Sequence, residues 1–388
     1  MKKKKLKLGY LFIVLMLVAG LVTGCSDSGS KDIKVGLVYE LTGSTASFGT
    51  AATNGAKLAF KEINAKGGVI GKQIQIVVAD NKGEPSESAN AMTKVITQDK
   101  VAVVTGFTTS SNAIAGSNVS EANKIPFVTA AATNPKVTVD EKTGKVKENT
   151  FRVCFIDPFQ GTVAANFAIN TLKTKKVAIM VDNSSDYSKG LAQFFKDAFV
   201  KGGGIVAAEE AYLQKDQDFK TILTSIKAQN PDMIYLPGYY EEAGKIIKQA
   251  RELGITVPVV GGDGWDSPKL PEIAGGDALN NTFFTNHYSV EDTSPLSKSF
   301  VDAYKKEYGQ VPDAMAVLGY DAAYVIVDAI KRANSAEPAK IRDALAATKG
   351  YKGAAGELTL NESHDAVKGA VIIEFKGGKQ VYKETVNP

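Results

Sequence analysis

From residue 32 onward the chain alternates short, unbroken Val/Ile/Phe runs with amphipathic segments of helical period. Apolar runs occupy 33–40, 73–80, 101–106 and 125–130, and helical patterns fill 55–68, 86–98 and 111–123 between them. In the pattern at 55–68, Leu58, Ala59 and Ile63 share one face, and glycines end it. Strands that are apolar throughout, rather than every second residue, are covered on both faces. That condition is met by a parallel sheet with helices above and below. The pattern restarts with strands at 150–155, 176–182, 204–212, 232–238 and 257–263, interleaved with helices at 188–202, 219–229 and 241–254. The expectation is α/β, with two doubly wound, Rossmann-like halves. A length of 388 residues agrees, because one core rarely grows past about 250–300 residues. A strand at 282–288 leads into two long helices, and the alternating, glycine-punctuated end from 356 reads as antiparallel strands.

The first 24 residues stand apart. Lys2, Lys3, Lys4, Lys5 and Lys7 precede an apolar run shorter than the ~20 residues a membrane span needs. Val22-Thr23-Gly24 then leads to Cys25. The arrangement is similar to a bacterial lipoprotein signal: 1–24 a signal peptide, cleavage before Cys25, lipid on its sulfur, and a tether through residue 31. Those five lysines also account for the apparent basicity. Of 46 basic and 42 acidic residues, 41 and 42 remain, and a near-neutral body gives no footprint for nucleic acid. With Cys25 lipidated, Cys154 has no disulfide partner and reads as a small buried hydrophobe.

Reaction motifs are missing. The two histidines, His287 and His364, lack metal-site spacing and read as surface or structural residues, so no metal and no cofactor is expected. GGVIGKQ lacks the spacing and the hydroxyl of a phosphate loop, and no G-x-S-x-G elbow occurs.

Doubly wound sheets bind ligands beyond the carboxyl ends of their strands. Just there stand Thr108, Thr109, Ser110 and Ser111 at a helix start, which suits an anion but equally a plain N-cap. Thr133 follows the fourth strand amid small residues, Tyr187, Tyr239 and Tyr240 stand at mouths in the second half, and Asp263 lies between glycines beside the only tryptophan. An anion site, a counter-charge and aromatic walls together suit a small zwitterion.

The stretches KVGLVYELTGSTASFGTAATNGAKLAFKEINAKGGVIGKQIQIVVADN, VVTGFTTSSNAIAG, PFVTAAATNP, PDMIYLPGYYEEAGKIIKQARELG and VVGGDGW resemble, in order and spacing, the substrate-binding proteins of branched-chain amino-acid ABC transporters. This is the Leu/Ile/Val-binding family of type I periplasmic binding proteins, and the resemblance runs from about residue 32 to 385. It implies two lobes joined by three crossings, 32–151 plus 284–355 and 152–283 plus 356–388, with an amino acid trapped between them. It implies no chemistry. Closure by hinge motion would present the ligand to a permease with its ATPase, from a monomer lipid-anchored on the outer face of the bacterial membrane. By position, Ser110 takes the ligand carboxylate, while Thr133 and the Ala131 carbonyl serve the ammonium and backbone groups. Tyr187 and Tyr239 close the site, Asp263 takes the ammonium, and Phe48 flanks the side chain. Two positions depart from the close members. Asp263 replaces a glutamate one methylene longer, and Thr108 and Thr109 replace more apolar or thiol side chains, which points to a smaller or more polar amino acid. Other small ligands on the same fold (amides, urea, aromatic acids) and presentation of ligand to a sensor stay open, as does a hydrolase built on Ser110, which lacks a histidine base.

Overall fold

The computed structural model describes residues 32–388; the signal segment, Cys25 and the tether through residue 31 lie outside the described residues. Two parallel sheets of one design organise the chain. The first holds β1 (Ile33–Tyr39), β2 (Ile74–Asp80), β3 (Val103–Gly106), β4 (Phe127–Thr129) and β5 (Thr150–Arg152) in the order β2-β1-β3-β4-β5. The second holds β6 (Lys176–Asp182), β7 (Ile205–Tyr212), β8 (Met233–Leu236), β9 (Val259–Gly261) and β10 (Thr282–Asn286), and repeats that order as β7-β6-β8-β9-β10. Two antiparallel strands, β14 (Ala370–Lys376) and β15 (Lys379–Val386), extend it beyond β10. Between them in the chain, β11 (Tyr351–Gly353), β12 (Gly356–Leu360) and β13 (Ala366–Val367) form a small separate sheet. It is tied to the first sheet by the Arg152–Asp365 ion pair and by His364 stacked on Phe151. By sheet membership the chain passes between the two halves at 153–156, 287–294 and 368–369.

Strand order places the ligand crevice. In each sheet the connections leave in opposite directions at one point, between β1 and β3 and between β6 and β8, and loops there splay apart. The helices that follow are α1 (Ala46–Ala65), α2 (Pro85–Thr97), α3 (Ser110–Asn123), α4 (Asp157–Asn170), α5 (Asp186–Lys201), α6 (Lys220–Ala228) and α7 (Tyr240–Glu252). After them come α8 (Lys269–Ala274), α9 (Pro295–Tyr308), α10 (Ala314–Ala333) and α11 (Pro338–Ala346). Helix α1 begins nine residues before the start expected at 55. The missed turns are rich in small residues, which read as loop, but here they allow close packing: a Cβ on Gly49 would lie 2.0 Å from the Glu40 carbonyl. Further along, a Cβ on Gly55 would lie 1.9 Å from the Ala316 carbonyl of α10, and one on Gly319 2.1 Å from that of Ala52. Backbone meets backbone at this crossing, so no rotamer change relieves an added methyl. Gly55→Ala should therefore destabilise the protein by about 1–3 kcal/mol in urea unfolding, against the usual gain from glycine to alanine in a helix. An unchanged midpoint would refute that packing.

Among the described residues no helix is long and apolar enough to cross a membrane. Cys154 is buried and unpaired, its thiol reaches the Ala132 carbonyl, and burial pushes its pKa up to about 12, which keeps it unreactive.

Candidate functional site

The seven residues expected at the site stand on segments that follow strand ends. Phe48 sits in the first turn of α1, Ser110 opens α3, and Ala131 and Thr133 follow β4. Tyr187 begins α5, Tyr239 precedes α7, and Asp263 starts a short 3-10 turn after β9. Six of them (Phe48, Ser110, Ala131, Tyr187, Tyr239 and Asp263) line one cavity of about 190 Å3 with Thr108, Gly264 and Met315. Thr133 lies beside that lining, buried, with a hydroxyl that finds no partner among the described residues.

The walls are aromatic. Tyr187 and Tyr239 stack at 5.2 Å with an 11° tilt, and Phe48 meets Tyr239 and Tyr240 edge-on at 5.9 and 4.9 Å. Hydrogen bonds tie the two halves across the crevice. Ser111 Oγ donates to Asp186 Oδ2 (2.9 Å), Asn134 Nδ2 to the Asp186 carbonyl (2.8 Å) and the Tyr240 hydroxyl to the Ser44 carbonyl (2.7 Å), while Ser47 and Ser267 pair at 2.8 Å.

Asp263 is only 3 % exposed. Its Oδ1 accepts from Gln160 Nε2 (2.8 Å) and the Tyr187 hydroxyl (2.9 Å), and its Oδ2 lies 3.0 Å from His287 Nε2. His287 stacks on Phe155, and burial lowers its pKa despite the neighbouring Asp263. All three partners are neutral donors, so they orient the carboxylate without cancelling its charge. The next turn is pinned by Asp266, whose Oδ2 accepts from Asn286 Nδ2 and from the Ala314 amide. That bond fixes the start of α10 and with it Met315 against the cavity.

A second carboxylate stands nearby. Asp157, at the start of α4, is fully buried, and its backbone N–H donates to the Thr133 carbonyl at 3.0 Å. Neither of its carboxyl oxygens makes a hydrogen bond of ordinary geometry. Burial raises its pKa to about 8; Asp263 adds to the shift, and the Thr133 hydroxyl and Arg152 oppose it. Arg152, itself buried, donates to the Ala132 and Asn134 carbonyls (2.6 and 2.9 Å) and pairs with Asp365 at 2.7 Å. It thereby fixes the 131–134 loop that offers the Ala131 carbonyl and Thr133.

On the opposite side, Ser110 Oγ accepts from the Asn134 amide at 3.2 Å, and its own proton is left for another acceptor. Beneath it lies the buried carboxylate of Glu40. Its Oε2 takes the Thr108 amide (3.0 Å) and hydroxyl (2.7 Å), and its Oε1 takes Thr109 Oγ1 (3.1 Å), Asn112 Nδ2 (3.0 Å) and Asn81 Nδ2 (3.4 Å).

Glu40, Asp157, Gln160, His287 and Met315 were not anticipated here. Glu40 and Asp157 do carry a signal, since each directly follows a strand of the first sheet. Glu40 reads as the last strand residue, and Asp157, before a proline, as an ordinary helix start. Gln160 and Met315 carry no local mark at all. Among the described residues, no cluster of His, Cys, Asp and Glu has metal-site geometry.

Comparison with known proteins matches this geometry to one group. A family model described as periplasmic binding protein matches residues 32–380. The Leu/Ile/Val-binding protein BraC3 of Rhizobium johnstonii is 35 % identical over 91 % of this chain and 94 % of its own. Among solved structures, the leucine binding protein LivK of Thermotoga maritima superposes with a TM-score of 0.87 at 38 % identity, covering 92 % of this chain and 99 % of its own. The branched-chain amino acid transporter substrate binding protein LivJ of Streptococcus pneumoniae, solved in complex with isoleucine, gives 0.87 at 37 %, covering 92 % and 100 %.

Proposed function

Because the chain belongs to the periplasmic binding protein family, we propose that it is the extracytoplasmic substrate-binding component of an ABC importer, holding a branched-chain aliphatic α-amino acid between its two halves for delivery to a permease and its ATPase. The observation that carries this reading is the surplus of buried acceptors at one end of the cavity. Asp263, Asp157, the Thr133 hydroxyl and the Ala131 carbonyl converge there with no cationic side chain of their own beyond Arg152, which is committed to the 131–134 loop and Asp365. An ammonium group supplies three donors and one positive charge to such a set. At the other end, the Ser110 hydroxyl and the start of α3 face a carboxylate. Phe48, Tyr239 and Met315 leave an apolar space for the side chain between them. A purely anionic ligand, such as an aromatic acid, would meet two buried carboxylates at the first end.

Ligand contacts drawn from both halves favour the closed arrangement, since only there are both sets made. The lobes of this reading are 32–151 plus 284–355 and 152–283 plus 356–388, and the protein acts as a monomer. Cys25 carries the lipid that holds it at the outer face of the membrane. The lysine-rich start, the apolar run and Val22-Thr23-Gly24 support that anchor. Cys25→Ala should release the protein into the soluble fraction, and metabolic labelling with a fatty acid reads the loss directly.

The test of function is calorimetric titration of residues 26–388, unfolded and refolded to strip carried-over ligand, against the twenty amino acids. Leucine, isoleucine or valine should bind in the micromolar range or tighter, within reach of a ligand this small when nearly every polar group is paired. No heat from any of the twenty would overturn the assignment. Ser110→Ala should weaken binding by about 1–3 kcal/mol, because one hydroxyl is lost while backbone donors of α3 remain.

A further inference from the structure

Glu40 touches none of the cavity, yet its carboxylate collects five hydrogen bonds, from Asn81, Thr108, Thr109 and Asn112. Thr108 does line the cavity. Its hydroxyl has one proton, and that proton goes to Glu40 Oε2 at 2.7 Å. The hydroxyl of the neighbouring Thr109 is committed in the same way to Oε1. What Thr108 has left for a ligand is its methyl group and its backbone. We infer that Glu40 is a specificity-determining positioning residue: by taking both threonine hydroxyls it turns a polar-looking segment into an apolar wall, so that the site favours valine over its hydroxylated isostere threonine. The sequence alone points the other way, toward a more polar ligand, because it shows the hydroxyls and not what they bond. The same five bonds hold the loop that presents Ser110, since Thr108 stands just before it and Asn112 one half-turn after.

The inference rests on the amino-acid reading, and the valine/threonine pair separates the two. An apolar pocket rejects an added hydroxyl by only about a hundredfold, so discrimination in the unaltered protein should lie between roughly ten- and a hundredfold in Kd. In Glu40→Gln one oxygen becomes an amide NH2, which cannot accept from a hydroxyl, and the freed hydroxyl can turn to the ligand. Discrimination should then fall to a few-fold, because threonine binding weakens less than valine binding. Thr108→Val replaces the hydroxyl by a methyl of the same shape. It should keep both the valine affinity and the valine/threonine ratio within about threefold, because no ligand contact used that hydroxyl. Both variants are titrated calorimetrically with valine and with threonine. Glu40→Gln lowering both affinities in proportion would mean a purely structural role and overturn the inference. So would Thr108→Val raising the ratio tenfold, which would place the hydroxyl on the ligand. If Glu40→Gln does not fold, the Thr108→Val titration still decides. An unaltered protein that binds neither amino acid overturns the function reading first and this inference with it.

Discussion

Replacing Asp263 with alanine should cost about 3–5 kcal/mol of ligand affinity, or roughly two to four decades in Kd by calorimetry. The magnitude follows from what surrounds the carboxylate. Its two oxygens are held by Gln160, Tyr187 and His287, and the residue is 3 % exposed. In the variant a bound ammonium would lose its counter-charge in a site from which water is excluded, and three donors of the protein would lose their acceptor as well. Asp263→Asn separates these effects. It keeps one acceptor for the network and removes the charge, so it should fold like the parent and still lose most of the affinity. Tyr187→Phe should do less harm, since Gln160 and His287 keep the carboxylate in place. Near-parental binding of leucine by Asp263→Ala would end the idea that this group clamps an ammonium.

That prediction draws on both sequence and structure, and the division between them has physical causes. The two sheets were legible because continuous apolar runs have one common solution, burial on both faces by helices. The positions of Ser110, Tyr187, Tyr239 and Asp263 were legible because strand mouths form the crevice in such sheets. What supports them was not. Gln160 reaches Asp263 across 103 positions of chain and Arg152 orients a loop some twenty residues before it, and neither relation leaves a periodic trace. His287 read as a residue of structure, and it does pack on Phe155, but its bond to Asp263 needs a fold to be seen. The start of α1 was missed because glycine and alanine in sequence signal flexibility, whereas here they signal a helix pressed against backbone at Glu40 and Ala316.

Asp157 gives the second large effect, and its sign is fixed by the direction of its shift. Burial holds its pKa at about 8 in the fold, against 3.8 for the unfolded chain. A carboxyl raised in this way favours the folded state fully below pH 3.8. That contribution is lost as pH rises, and the loss is complete once the pH passes about 8. Asp157→Asn has the same shape and does not titrate. Measured by urea unfolding of the ligand-free proteins, the variant should therefore gain on the parent by about 1.4 kcal/mol per pH unit through the middle of that window, and reach several kcal/mol by pH 8. Parallel pH profiles would show that Asp157 is not the buried, proton-holding group described here. Ligand reverses the balance. An ammonium drawn to Thr133 and Asp263 lies close to Asp157 and stabilises its ionised form, so binding at pH 7 should expel a proton from this carboxyl. Calorimetry in buffers of different ionisation enthalpy reads that proton, which Asp157→Asn should abolish. Affinity of the parent should accordingly rise with pH between about 6 and 8, because a site that must lose a proton to bind does so more readily as protons become scarce.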